Sequence, residues 1–154
     1  MEYLIVKWLH ILSSTLLFGT GIGSAFYLLF ASLSGDTRAV AVVSRHVVLA
    51  DWLFTTPTIV IQPLTGLYLM HLASMPLSSK WIAWSFALYF VATACWLPVV
   101  WIQIRMRRLA ATAAMDDKPL PPAYWRFFRI WVLLGIPAFF AFVAVFWLMV
   151  AKPV

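Results

Sequence analysis

Four long apolar stretches divided by three short polar ones make up this chain. The pattern predicts membrane spans over residues 3–33, 47–75, 80–104 and 124–150. About thirty residues at ~1.5 Å each give the first span ~45 Å, more than the ~30 Å hydrocarbon core of a bilayer, so it must tilt or protrude. At 100° per residue, Tyr3, Lys7, His10, Ser14, Gly21 and Leu28 fall on one stripe of that helix. Polar groups at membrane depth are costly and need partners, so the stripe is expected to face other helices. Gly19 and Gly23 form a small-xxx-small pair that admits a close neighbour, from the same chain or from a second copy. Residues 34–37 make the first turn, and the second helix is expected to begin near Arg38, ahead of its span. Pro57 and Pro63 are expected to interrupt the second span, and Pro98 and Pro137 to bend the third and fourth, because each removes a backbone donor. Pro76 closes the second helix before a short loop at residues 77–79. A polar loop is expected from the Arg105, Arg107 and Arg108 cluster to Pro122.

Composition turns this pattern into a class. The 154 residues are 64% hydrophobic and 10% charged, with a mean hydropathy of +0.95. A soluble domain is about 45–50% apolar and 25% charged, so that class is excluded. The expected fold is an all-α integral membrane four-helix bundle, antiparallel and up-down, forming one domain over residues 1–154. The first apolar run is too long for a cleaved signal peptide and holds Lys7 inside it, which predicts a retained span. A net charge of +6 does not point to nucleic acid, because the basic residues are few and flank the spans. Arg38, Arg45, Arg105, Arg107, Arg108, Lys118, Arg126 and Arg129 belong to one side, and Lys7, Lys80 and Lys152 to the other. The positive-inside rule then places both termini outside the cytoplasm of a bacterial inner membrane. Cys95 is the only cysteine, which removes intrachain disulfides and multi-cysteine metal sites.

Antiparallel spans bring His10, about two turns into the first, level with His71 near the outer end of the second, while His46 falls at the opposite end. Two neutral imidazoles on adjacent helices can bind haem iron from opposite faces, or a copper ion. Lys7 and Lys80 are placed to neutralise a propionate, and Tyr68 lies one turn below His71. Met1, Met70 and Met75 sit at the same face, where soft sulfur ligands suit Cu(I). The structural readings stand beside these: His10 as a helix–helix hydrogen bond, His71 as an interfacial side chain. Asp51 reads most simply as an ion pair with Arg105 or Arg129. Arg126 and Arg129 read as headgroup contacts, and Cys95 as a small hydrophobe.

Lys7-Trp8-Leu9-His10 resembles the K-x-x-H of the first helix of HemJ-type protoporphyrinogen oxidases. Pro57 with Gly66-Leu67 resembles the P-x8-G-L of their second helix, and Pro137 with Lys152-Pro153 resembles their last. The general helical pattern is similar to that of CopD-type copper-resistance membrane domains. The chain most resembles a family of small bacterial membrane proteins of unassigned function that open with a W-L-H-I-L-S-type helix and carry a T-G-L-Y-L-type segment like residues 65–69. The resemblance implies a membrane haem b or porphyrin protein with His10 as leading ligand, and a membrane oxidoreductase as the activity. Where the HemJ-type pattern has Asn-Glu before its last proline, this chain has Leu134 and Gly135.

The function expected from sequence is haem b or porphyrin binding near the outer face. His10 and His71 would be the axial pair, Lys7, Tyr68 and Lys80 would surround the cofactor, and quinone would be a redox partner. Copper handling by the same histidines is the alternative, and a cofactor-free structural or assembly subunit is a third reading.

Overall fold

The computed structural model describes residues 1–76 and 78–153, and Leu77, assigned to the second turn by sequence, lies outside them. Every regular element among the described residues is helical. Helix α1 runs Glu2–Leu33, α2 Thr37–Leu72, α3 Lys80–Met115 and α4 Pro122–Ala151. All four are long and apolar enough to cross a membrane. At about 1.5 Å per residue, the 36 residues of α2 and of α3 reach about 54 Å, so both must project beyond the hydrocarbon core or tilt strongly within it.

The turns have local causes. α1 stops at Ser34, and Gly35 takes a φ of +76°, which a side chain would resist. Asp36 then caps α2, its carboxylate accepting from the backbone N–H of Arg38 (2.9 Å) and Ala39 (3.1 Å). Pro122 opens α4 at a position where a missing N–H costs nothing. One boundary differs from the sequence expectation. The third helix does not end with Arg105, Arg107 and Arg108 but continues to Met115, because residues 109–115 are mostly alanine and other helix formers. Those arginines lie within the helix and do not end it.

None of the internal prolines ends its helix. Pro63, Pro98 and Pro137 all lie inside continuous helices. Upstream of Pro57 the helix widens for one turn, Asp51–Thr55, into π geometry. Three threonines supply donors around this turn. Thr55 Oγ1 donates to Asp51 Oδ1 (3.0 Å), Thr56 Oγ1 to the Asp51 carbonyl (2.9 Å), and Thr58 Oγ1 to the Phe54 carbonyl (2.6 Å). Two of these hydroxyls thus add a bond to carbonyls of the widened turn, and the third holds the Asp51 carboxylate.

The helices are antiparallel in sequence order. α1 and α2 meet through Glu2 with Tyr68 and Ser13 with Gln62. α2 and α3 meet where the Tyr89 hydroxyl donates to the Ile59 carbonyl (2.5 Å). α3 and α4 pack along their length, Trp101 against Phe127 at one end and Lys152 over the Trp81 ring at the other. The closed core sits at the basic end, where Leu28, Val40, Met106, Ala110 and Tyr124 are each at most 1% exposed. Tyr124 links α4 back to α1. Ser32 Oγ donates to the Leu28 carbonyl, so the Tyr124 hydroxyl donates to Ser32 (2.7 Å).

This fixes a stability expectation. Tyr124→Ala should cost about 3–5 kcal/mol, as for a buried aromatic ring. Tyr124→Phe should cost only about 1 kcal/mol, since Ser32 keeps its own acceptor. Unfolding midpoints in a mixed-micelle titration check both, and equal losses would show that the hydroxyl, not the ring, carries the packing.

Candidate functional site

Two polar centres lie within the bundle, and they differ in one respect: the first is satisfied and the second is not. The first is a seam between α1 and the last turns of α2. Thr65 Oγ1 donates to the Ile61 carbonyl (2.8 Å) and so accepts from His10 Nδ1–H (2.8 Å). His10 Nε2 is left as an acceptor and takes a hydrogen bond from Gln62 Nε2 (3.1 Å). Gln62 Oε1 in turn accepts from Ser13 Oγ. The partners therefore fix the imidazole as neutral and protonated on Nδ1. The ring lies against Gly66, where a Cβ would come within 3.3 Å of His10 Cε1.

This seam corrects the predicted stripe. His10 and Leu28 do face inward and Gly21 is exposed where it lines the chamber, but Ser13 replaces Ser14, whose hydroxyl returns to the Ile11 carbonyl (2.8 Å). Tyr3 and Lys7 are exposed, with the Lys7 ammonium 5.9 Å from the Tyr3 ring. Near a helix end a lysine can run its stem along apolar surface to water and needs no interior partner.

The residues expected to hold haem are not gathered into one site. His71 is exposed on the last turn of α2, its ring stacked on Tyr68 at 6.4 Å. Tyr68 donates to Glu2. Lys80 is exposed at the start of α3. His10 has both nitrogens engaged and one face on Gly66, so its arrangement does not fit an axial ligand of a macrocycle shared with His71. Met70 is buried, whereas Met1 is 95% exposed. Among the described residues no three His, Cys, Asp or Glu side chains form a metal-binding group.

The second centre is a chamber of about 450 Å³ between α1 and α4, with its floor on α2 and α3. Its wall is almost wholly apolar. Asp51, Thr55, Trp96 and Gln103 bring the main polar groups to it, with Cys95 beside them. Asp51 is 5% exposed and Gln103 6%. Three buried polar atoms here have no hydrogen-bond partner: Asp51 Oδ2, Trp96 Nε1 and Gln103 Oε1. The ion pair expected for Asp51 is absent among the described residues; its carboxylate accepts from Thr55 and lies beside the Gln103 side chain. Asp51 stands at the start of the π turn, buried on the chamber side of α2. Unpaired polar atoms are rare inside proteins and call for a specific explanation. The chamber opens sideways, for Ile22, Phe26, Ile136 and Phe140 on its rim are all exposed.

The sequence carried signals for this chamber that the histidines drew attention from. Gln62 and Gln103 are the only glutamines, and each stands within an apolar span at a polar centre. Asp51 and Thr55 are four apart just ahead of Pro57. Intramembrane amides and carboxylates of this kind are functional candidates by default.

The satisfied seam predicts an asymmetry between the histidines. His10→Ala should cost about 1–3 kcal/mol of stability by stranding Gln62 and Thr65. His71→Ala should stay within about 0.5 kcal/mol, as exposed substitutions do. Chemical-denaturant unfolding in micelles measures both, and equal effects would mean that the seam does not carry α1 against α2.

Neither a curated protein nor a solved structure matches the chain. A family model described as "Predicted integral membrane protein (DUF2269)" matches residues 4–153. Four membrane-length helices and a match over nearly the whole chain agree, and the protein is a multi-span member of this family of integral membrane proteins.

Proposed function

We propose that this protein binds a lipid-soluble small molecule of the quinone class inside the bilayer, in the chamber between α1 and α4. The observation that carries the reading is the convergence of three unpaired polar atoms, one donor and two acceptors, on a single apolar chamber open to lipid. The volume suits a drug-sized ligand, for which pockets of about 300–1,000 Å³ are usual. Trp96 Nε1–H matches a carbonyl oxygen. Asp51 Oδ2 and Gln103 Oε1 match a hydroxyl. A quinone offers the first and its quinol the second, on a flat ring with an apolar tail that the lateral opening can admit. The aromatic wall, with Phe139 and Trp131 among its residues, suits such a ring by stacking. In this reading the redox partner expected from sequence becomes the bound ligand itself, and haem is not required.

The test is equilibrium binding of a short-tailed ubiquinone to purified protein in micelles. Trp96→Phe should weaken binding about tenfold, the value of one hydrogen bond in a dry site. Gln103→Leu should weaken it by a similar factor, and His71→Ala should leave it unchanged. Saturable binding that ignores Trp96→Phe and Gln103→Leu, or no binding by well-folded protein, would sink the proposal.

The haem expectation is separated by one spectrum. Protein purified from haem-competent cells, oxidised in air and then reduced with dithionite, should show no Soret band. A Soret band that sharpens on reduction and is lost in His10→Ala would restore histidine-ligated haem as the better reading.

A further inference from the structure

A second cavity, about 390 Å³, lies on the outside of the bundle between α2 and α3 toward the basic end. Arg45 on α2 and Arg107 on α3 line it, and its remaining lining is Val48, Leu49, Trp52 and Ile104. A groove that carries two cations on otherwise apolar walls suits an anion with an apolar body. The chain has none to spare. Its five acidic residues are Glu2, Asp36, Asp51, Asp116 and Asp117. Glu2 accepts from Tyr68 at the opposite end, and Asp36 caps α2. Asp117 pairs with Arg38 (3.1 Å), Asp116 with Lys118 (3.3 Å), and Asp51 lies buried in the chamber. Among the described residues, neither Arg45 nor Arg107 has an ion-pair partner.

The geometry points to an anionic phospholipid bound here, its phosphodiester held between Arg45 and Arg107 and its acyl chains lying along Leu49 and Trp52. Guanidinium groups bind phosphate oxygens in a forked geometry that a single ammonium cannot match. Basic pockets between transmembrane helices hold anionic headgroups for the same reason. The walls select a lipid over free phosphate. Leu49 is 52% exposed and Trp52 57%, so the groove offers acyl chains an apolar surface beside the two cations. Arg126 and Arg129 are equally exposed at the same end but line neither cavity, and they provide the control.

The experiment titrates purified protein in micelles with dihexanoyl-phosphatidylglycerol, dihexanoyl-phosphatidylcholine or glycerol 3-phosphate, and reads affinity by calorimetry. The glycerol lipid should bind, the choline lipid should bind far more weakly, and glycerol 3-phosphate should not substitute for either. At about fivefold per basic residue, Arg45→Gln with Arg107→Gln should weaken the glycerol lipid about thirtyfold, while Arg126→Gln with Arg129→Gln should change it less than about twofold. Equal affinity for the two lipids, equal response to glycerol 3-phosphate, or equal losses in the two double variants would each overturn the assignment. Both pairs are exposed, so folding does not depend on them.

Discussion

Pro57 has no amide proton, and in a membrane no water stands ready to take the place of the lost hydrogen bond. Much of the interior depends on how α2 accommodates that loss. The helix widens by one turn, and Thr55, Thr56 and Thr58 turn their hydroxyls back onto Asp51 and Phe54. The widened turn rotates the first half of α2 relative to the second. Asp51 comes to face the chamber with Gln103 across from it, while Gln62, Thr65 and Gly66 further along face His10. A regular helix through this segment would have put these two groups in a different angular relation.

The two polar centres on either side of that turn have opposite characters. Both nitrogens of the His10 imidazole and the amide oxygen of Gln62 have partners, and the ring is wedged on a glycine. Such a network holds two helices in one register, because a slip along the axis would break several bonds at once. The chamber has the reverse property, with its donors and acceptors left over. In water, solvent would satisfy them cheaply. Inside a bilayer the cost of leaving them open is kept only where something else completes them. The packing agrees with this division, since the tight core lies at the basic end and the α1–α4 side is left open above it.

The number of helices was legible because four apolar stretches of membrane length leave no other arrangement for their backbone hydrogen bonds. The surroundings of Asp51 were harder to read. The helix begins at Thr37, close to the expected Arg38, but the reading of Asp51 as an arginine partner took no account of which face of that helix it occupies. The end of α3 was missed because charges at Arg105–Arg108 signal departure from lipid, whereas the alanines after them govern helix continuation. His10 was rightly placed among helices. Its expected partner was set by level alone, and level says nothing of azimuth. His71 shares a helix with Thr65 and Gly66 but not their face. Gln62 and Gln103 are the legible signal of both centres, since an amide in an apolar run is as costly as an imidazole.

For a chamber that opens sideways among membrane-spanning helices, hydrocarbon tails are the competing guests. Occupation is therefore an exchange. An arriving molecule gains little by bringing its own apolar body, since that only replaces one chain by another, and the discrimination falls almost entirely on the few atoms at Asp51, Trp96 and Gln103 that a tail cannot address. By the same reasoning the lipid composition around the protein acts as the competing solvent, and the fatness, order and unsaturation of the surrounding tails set the baseline against which any guest is measured.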